Sequence, residues 1–416
     1  MKGLYLIKQL KQLIIDSAPK PDRRTNIDPK SLAICAIVSL SGDNKSFSLE
    51  SIRRELMLMT GKEISRSAFW ERLTTNRLFG MLVKIFSKIS NMLPTHSISS
   101  DKILKKLEVE GISLFDASTV TLPDDAKKSF PGAFTESGLK LHLEMDANTG
   151  RFNWAALTSA SVHDRTCLPD LESLVGRLSI FDLGYYDWGY YNDLNDTGGY
   201  FLSRAKVNCS LTIDEIVKGL GHQHTGKNLN SIKFKRKRAG IIEFKSIKEV
   251  DGDDFTFRVI GFWNSREKQY HWYITNLSCN AKLIYPLYRF RWQIELMFKS
   301  AKGSLNMDQI PTSDRMIILN IFLARMIAVL IAMVIREIGT RNSPHSDINY
   351  ISLQRSARVF VLLRKELMNY LFKPKGDNAW HNFRKSLKLM LRELFDPNQT
   401  NRKSSKADLD DLCMVC

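Results

Sequence analysis

The chain has 416 residues, enough for two or three domains. Its 61 Lys and Arg against 44 Asp and Glu leave a net charge of +17, which favours a polyanionic partner: nucleic acid first, an acidic membrane surface second. No juxtamembrane basic cluster or signal peptide supports the membrane, and six scattered cysteines exclude a secreted disulfide framework.

Residues 1–105 lack strand alternation and read as helical. After a polar, basic start, FSLESIRRELMLMTGKEISRSAFWERL predicts two helices around Gly61, with Ser48 capping the first and Ser65 the second. A second helix bearing Arg66, Arg72 and Arg77 suits a DNA-reading helix-turn-helix, and a plain helical hairpin equally.

The pattern changes over 106–206. GISLFDASTVTLP predicts a buried strand ending near Asp116, closed by Pro123 and the Asp124–Asp125 pair. LKLHLEMDANTGRFNWAALTS alternates on both sides of a turn at Asp146–Gly150 and predicts a hairpin. A helix is expected around 166–176, then a short strand ending at Asp182 in RLSIFDLGYYDWGYY. Asp187 should open a helix over 187–195, and GYFLSRA reads as a further strand. Asp116 and Asp182 thus stand at the ends of strands, where α/β folds place ligand-binding residues. Each also has a plain reading as a turn or N-cap residue, with Asp124, Asp125, Asp187 and Asp193 as neighbouring acids.

Residues 207–270 are rich in alternating and β-branched runs (KFKRKRAGIIEFKSI, FTFRVIGFW), and YHWYITNL follows in the same style. Lys233, Lys235, Arg236, Lys237 and Arg238 make this ribbon basic, either as solvated decoration or as a track for phosphates. His222-Gln-His224 reads as a loop.

Over 271–340 the informative segment is YRFRWQIELMFKSAK. It spaces Tyr288, Arg291, Glu295 and Lys302 by three, four and seven residues. At about 100° per residue on one helix, all four fall within an arc of roughly 60°. Beside them runs an apolar stripe of Leu283, Leu287, Phe290, Ile294, Met297 and Ala301. A packed face beside a row of phenol, guanidinium, carboxylate and ammonium suits a polyanion. The apolar stretch Met316–Ile338 is long enough to span a bilayer, but Asn320 and Arg325 interrupt it, so a buried core helix is expected. Residues 341–416 read as helices ending in a disordered polar tail. Cys413-Met-Val-Cys416 in that tail has zinc-knuckle spacing but no second pair.

The pattern Tyr-x-x-Arg-x-x-x-Glu-x-x-x-x-x-x-Lys resembles the signature helix of bacterial insertion-sequence DDE transposases of the IS-four family. Asp116-Ala-Ser-Thr and Asp182-Leu-Gly-Tyr resemble that family's two upstream motifs, in the right order. The resemblance implies an α/β fold: an RNase H-like catalytic domain in two parts (106–206 and 271–340), interrupted by a β-rich insertion and flanked by helical N- and C-terminal regions. It implies that Asp116, Asp182 and Glu295 are catalytic and hold two Mg²⁺ or Mn²⁺ ions. Tyr288, Arg291 and Lys302, with Lys235, Arg236 and Arg238, would contact DNA. Trp272 would stack on a flipped base, unless it is a core residue of its strand, with Trp263 as a rival. The implied partners are double-stranded transposon ends and target DNA, bound by a homodimer in a synaptic complex, in the bacterial cytoplasm and not in a membrane. A structure-specific nuclease, or a DNA-binding protein that has lost catalysis, would share most of these residues.

Overall fold

The computed structural model describes residues 3–20, 27–39, 48–93, 100–206, 209–234, 239–342, 351, 353–373 and 378–394. Before the first strand, every regular element among the described residues is a helix: α1 (Tyr5–Ser17), α2 (Pro29–Ser39), α3 (Leu49–Thr60), α4 (Arg66–Leu73), α5 (Asn76–Met92) and α6 (Ser100–Leu107). The caps fall where the sequence puts them. Ser48 accepts from the Ser51 amide and Ser65 from the Ala68 amide. Gly61 closes α3 in the left-handed conformation, φ 65°, and its N–H returns to the Met57 carbonyl at 2.8 Å. Arg77 is not on the second helix of this pair. Thr75 caps a new helix, and Arg77 lies in the first turn of α5.

One sheet of nine strands follows, ordered β3-β2-β1-β4-β5-β9-β8-β7-β6. Its members are β1 (Gly111–Thr121), β2 (Gly138–Asp146), β3 (Phe152–Ser159), β4 (Arg177–Phe181), β5 (Tyr200–Arg204), β6 (Glu215–Lys218), β7 (Ile241–Val250), β8 (Asp253–Asn264) and β9 (Gln269–Thr275). Only β1–β4 and β4–β5 pair in parallel; the remaining pairs are antiparallel. The hairpin at Asp146–Gly150 forms between β2 and β3. The strands of 207–270 continue this same sheet through β9, which pairs with β5 from Leu202↔Thr275 to Arg204↔Tyr273. The fold is therefore mixed α/β with a mostly antiparallel sheet and flanking helices.

Two further sequence expectations need correction. β1 does not end near Asp116 but runs on to Thr121, because β2 stays paired with it over that length. The helix expected at 166–176 is two 3-10 turns, Asp164–Thr166 and Leu171–Leu174. Pro169 lies between them; it lacks an N–H and drives its predecessor out of the helical region. Beyond them α7 (Trp188–Asp196) opens at Asp187, as expected, whose carboxylate accepts from the Tyr190 amide at 3.1 Å.

After the sheet come α8 (Ile284–Arg289), α9 (Trp292–Leu305), α10 (Arg315–Arg341), α11 (Leu353–Phe372) and α12 (Ala379–Met390). By length and composition α10 could cross a membrane, yet it packs against α2, α5, α9 and α11 and is buried along most of its length. Each of its two polar interruptions makes a hydrogen bond inside the protein. Asn320 donates to the Leu73 carbonyl at 2.7 Å, and Arg325, fully buried, donates to the Asn306 carbonyl. It is the buried core helix that the sequence predicts. The polar tail, with Cys413 and Cys416, lies outside the described residues.

Candidate active site

Strand pairing brings the first two carboxylates level. β1 and β4 run parallel with Leu114 opposite Ile180. Two residues further on stand Asp116 and Asp182, and alternation returns them to the face of Leu114 and Ile180. That face meets the helices, whereas Phe115 and Phe181 point the other way and stack with ring centroids 4.7 Å apart. Asp182 lies just beyond the end of β4, and its side chain makes no capping bond to the turn that follows. Asp116 sits within a strand, so neither carboxylate is spent on capping a helix.

The third carboxylate arrives from α9, which packs on β1. Lys302, near the end of α9, donates to the Thr119 carbonyl of β1 at 2.7 Å and ties the two elements together. All six residues of the predicted apolar stripe are buried. The polar row, however, is not on one uninterrupted α-helix. Phe290 and Arg291 join α8 to α9 through bonds between residues three apart, such as Arg291 N–H to Tyr288 carbonyl at 3.1 Å. This 3-10 winding is tighter than an α-helix and turns Arg291 relative to Glu295.

Arg291 stands at the centre of the group. Its guanidinium lies 3.7 Å from Asp116, 3.5 Å from Asp182 and in direct contact with Glu295. The Tyr288 ring centre is 5.8 Å from the guanidinium carbon. Arg291 and Asp116 side chains are each only 15 % exposed, while Asp182 and Glu295 open more to solvent at 38 % and 35 %. Burial pushes the Asp116 carboxyl up to about 7, Arg291 opposes that rise, and Asp182 and Glu295 add to it. Burial alone would lower Arg291, but Tyr288 and the three acids outweigh it and hold the guanidinium above its ordinary value. Arg291 Nε is buried without a hydrogen-bond partner among the described residues.

Beneath Asp182 the Leu183–Tyr185 turn is fixed from two sides. A Cβ on Gly184 would stand 2.4 Å from the Asp164 carboxylate, so a larger residue there would have to displace Asp164. Asp164 is held in turn by Lys140 at 2.8 Å. The Tyr185 hydroxyl meets His142 Nδ1 at 3.1 Å, and His142 Nε2 meets the Thr158 hydroxyl at 2.9 Å. Burial pushes His142 down to about 4, so the ring is neutral. Sequence reasoning missed both His142 and Asp164. His142 is one polar residue in an alternating strand, and nothing in its spacing signals a partner 43 positions away.

The family model of the transposase DDE domain matches residues 108–331, more than half of the chain and every residue of this cluster. The chain belongs to this family. It is 25 % identical over 263 residues to the transposase for insertion sequence element IS1151 of Clostridium perfringens, covering 53 % of this chain and 56 % of that protein. To the transposase for IS231F of Bacillus thuringiensis subsp. israelensis it is 22 % identical, covering 48 % and 51 %. To the transposase for IS231D of subsp. finitimus it is 24 % identical, covering 64 % of each. The chain thus spans less than two thirds of the length of these relatives.

DDE transposases generally use divalent metal ions. The donor chemistry here fits them, since three carboxylates offer only oxygen, as Mg²⁺ prefers. The arrangement does not yet form a cage: among the described residues no three acids, His or Cys stand close enough to share an ion. A guanidinium lies between the acids instead. The other sequence-predicted DNA contacts lie elsewhere. Trp272 is half-buried on β9, packed with Phe234, Phe244 and Tyr270, its ring lying over Gly261 of β8. Trp263 packs on Tyr270. Lys233 is exposed, and Lys235, Arg236, Lys237 and Arg238 lie outside the described residues.

Proposed function

We propose that this protein is an insertion-sequence transposase of the IS-four kind. It binds the terminal inverted repeats of its element, cleaves the ends and joins them to target DNA. The observation that carries the reading is the convergence of Asp116, Asp182 and Glu295, from three separate elements, on one guanidinium within the family-matched interval. The strand order β3-β2-β1-β4-β5, parallel only at β1–β4–β5, supports an RNase H-like core, with β6–β8 as its insertion.

Asp116, Asp182 and Glu295 would hold two Mg²⁺ or Mn²⁺ ions, which when bound offset charge on the attacking and leaving oxygens of an in-line displacement. Arg291 offers a phosphate a planar fork, and Tyr288 a hydroxyl beside it. Lys302 has three donors, so it can keep the Thr119 carbonyl and still reach a phosphate. The capped pair α3–α4 is the candidate reader of the repeat, and the basic ribbon with Lys235, Arg236 and Arg238 the candidate phosphate track. Trp272 offers its exposed part as a stacking surface for a base. Two copies would hold two ends together in a synaptic complex, in the cytoplasm.

The test pairs a nicking assay with a gel shift on end duplexes. Asp116→Asn, Asp182→Asn and Glu295→Gln should each abolish cleavage in Mg²⁺ while end binding persists. Near-normal nicking by any one of them removes that residue from the set. Strand-transfer products separate a transposase from a nuclease on the same fold.

A further inference from the structure

We infer that Arg291 and divalent cations compete for the same three carboxylates, so that the DNA-free protein holds its own cation at the centre and admits metal only when a DNA phosphate draws Arg291 away. This rests on the functional reading above and adds a coupling to it.

Three features of the site support the competition. The guanidinium contacts all three acids at once, and no other cationic side chain among the described residues pairs with Asp116, Asp182 or Glu295. A metal ion bound to these oxygens at about 2.0–2.1 Å would sit against a fixed positive group in a half-buried site, where like charges repel more than in water. The two cations therefore exclude one another.

Arg291 is also incompletely satisfied where it lies. Its Nε is buried with no hydrogen-bond partner among the described residues, although a guanidinium has five N–H donors to place. A phosphate accepts a fork of parallel hydrogen bonds and so offers Arg291 a better-matched partner than three divergent acids. The residue is also rooted at the α8–α9 junction, where the α-helical bonding gives way to a 3-10 turn. A short tightened segment inside a helix is a common place for a hinge. The arrangement has a use: without DNA one internal charge partly offsets the acids, and the centre stays unloaded.

The experiment titrates Mn²⁺ into the full-length protein and follows free Mn²⁺ by electron paramagnetic resonance, with no DNA present. Arg291→Ala should bind Mn²⁺ about ten-fold more tightly than wild type, within the range of ordinary site-to-site coupling. A duplex carrying the element's end should raise wild-type affinity by a similar factor and leave Arg291→Ala unchanged. Arg291→Gln keeps a polar side chain at the junction and decides the matter if the alanine variant melts early. Asp116→Asn in the same background should abolish the gain. If both Arg291 variants bind Mn²⁺ no better than wild type while Asp116→Asn weakens binding, the competition is wrong and the carboxylate reading stands. If Mn²⁺ binding is indifferent to Asp116 in every background, both fail.

Discussion

At the scale of single residues, two titrating groups, one buried and one largely so, oppose each other across one strand pair. Asp116 lies on β1, and His142 on β2 stands opposite the next residue, Ala117. Asp116 is raised by burial from 3.8 to about 7. Between those values the folded protein keeps a proton that the unfolded chain has lost. Stability therefore falls as pH rises through that window, by roughly 4 kcal/mol in all. His142 is lowered by burial from 6.5 to about 4. Here the unfolded chain holds the extra proton, so stability rises with pH over the window, by roughly 3 kcal/mol. In wild type the two slopes largely cancel. Asp116→Asn removes one of them and should be more stable than wild type at pH 7.5, with a urea midpoint that climbs from pH 4.5 to 6.5. Parallel pH profiles for the two proteins would mean that Asp116 is not raised by its surroundings.

At the scale of elements, the β8–β9 pair depends on one missing side chain. Gly261 stands opposite Trp272, and a Cβ there would come within 2.4 Å of the indole ring. Gly261→Ala should push the ring out of its cluster with Phe234 and Phe244 and cost about 1–3 kcal/mol, the usual price of overpacking. Chemical denaturation followed by tryptophan emission reads both effects, and an unchanged midpoint would show that the ring is free to move. Elements of this local kind were legible in the sequence. Ser48, Ser65, Gly61 and Asp187 mark helix ends through hydrogen bonds with near neighbours, and the Asp146–Gly150 turn marks its hairpin. The clustering of Asp116, Asp182 and Glu295, and the burial of the stripe from Leu283 to Ala301, were legible for the same reason, since motif and periodicity are short-range signals. What escaped depends on distant pairing. The register that sets Asp116 beside Asp182 joins segments more than 60 residues apart, and only that register gives Arg291 three acids to touch. The 3-10 break at Phe290–Arg291 escaped too, because helical spacing cannot distinguish a continuous α-helix from one tightened for two residues.

At the scale of the whole molecule, the sheet separates two cores. On one face it carries the helices around α10, and on the other an aromatic cluster that includes Phe115, Phe181, Tyr185, Tyr191 and Phe201. With apolar residues committed to these interiors, the excess of 17 positive charges is left largely to the surface. A surface of that sign should bind DNA by displacing its condensed counterions. Each neutralised phosphate then adds about −0.9 to the slope of log K against log salt. Contact with about six phosphates predicts a slope near −5 for an end duplex, measured by fluorescence anisotropy between roughly 50 and 200 mM salt. Arg291→Ala should make that slope shallower by about one if Arg291 takes a phosphate as proposed. Asp116→Asn should leave the slope as it is, since the acid contacts no phosphate directly. A wild-type slope close to zero would mean that the basic excess keeps the protein soluble and takes no part in holding DNA. The role proposed for Arg291 as the group that DNA draws away from the acids would fall with it.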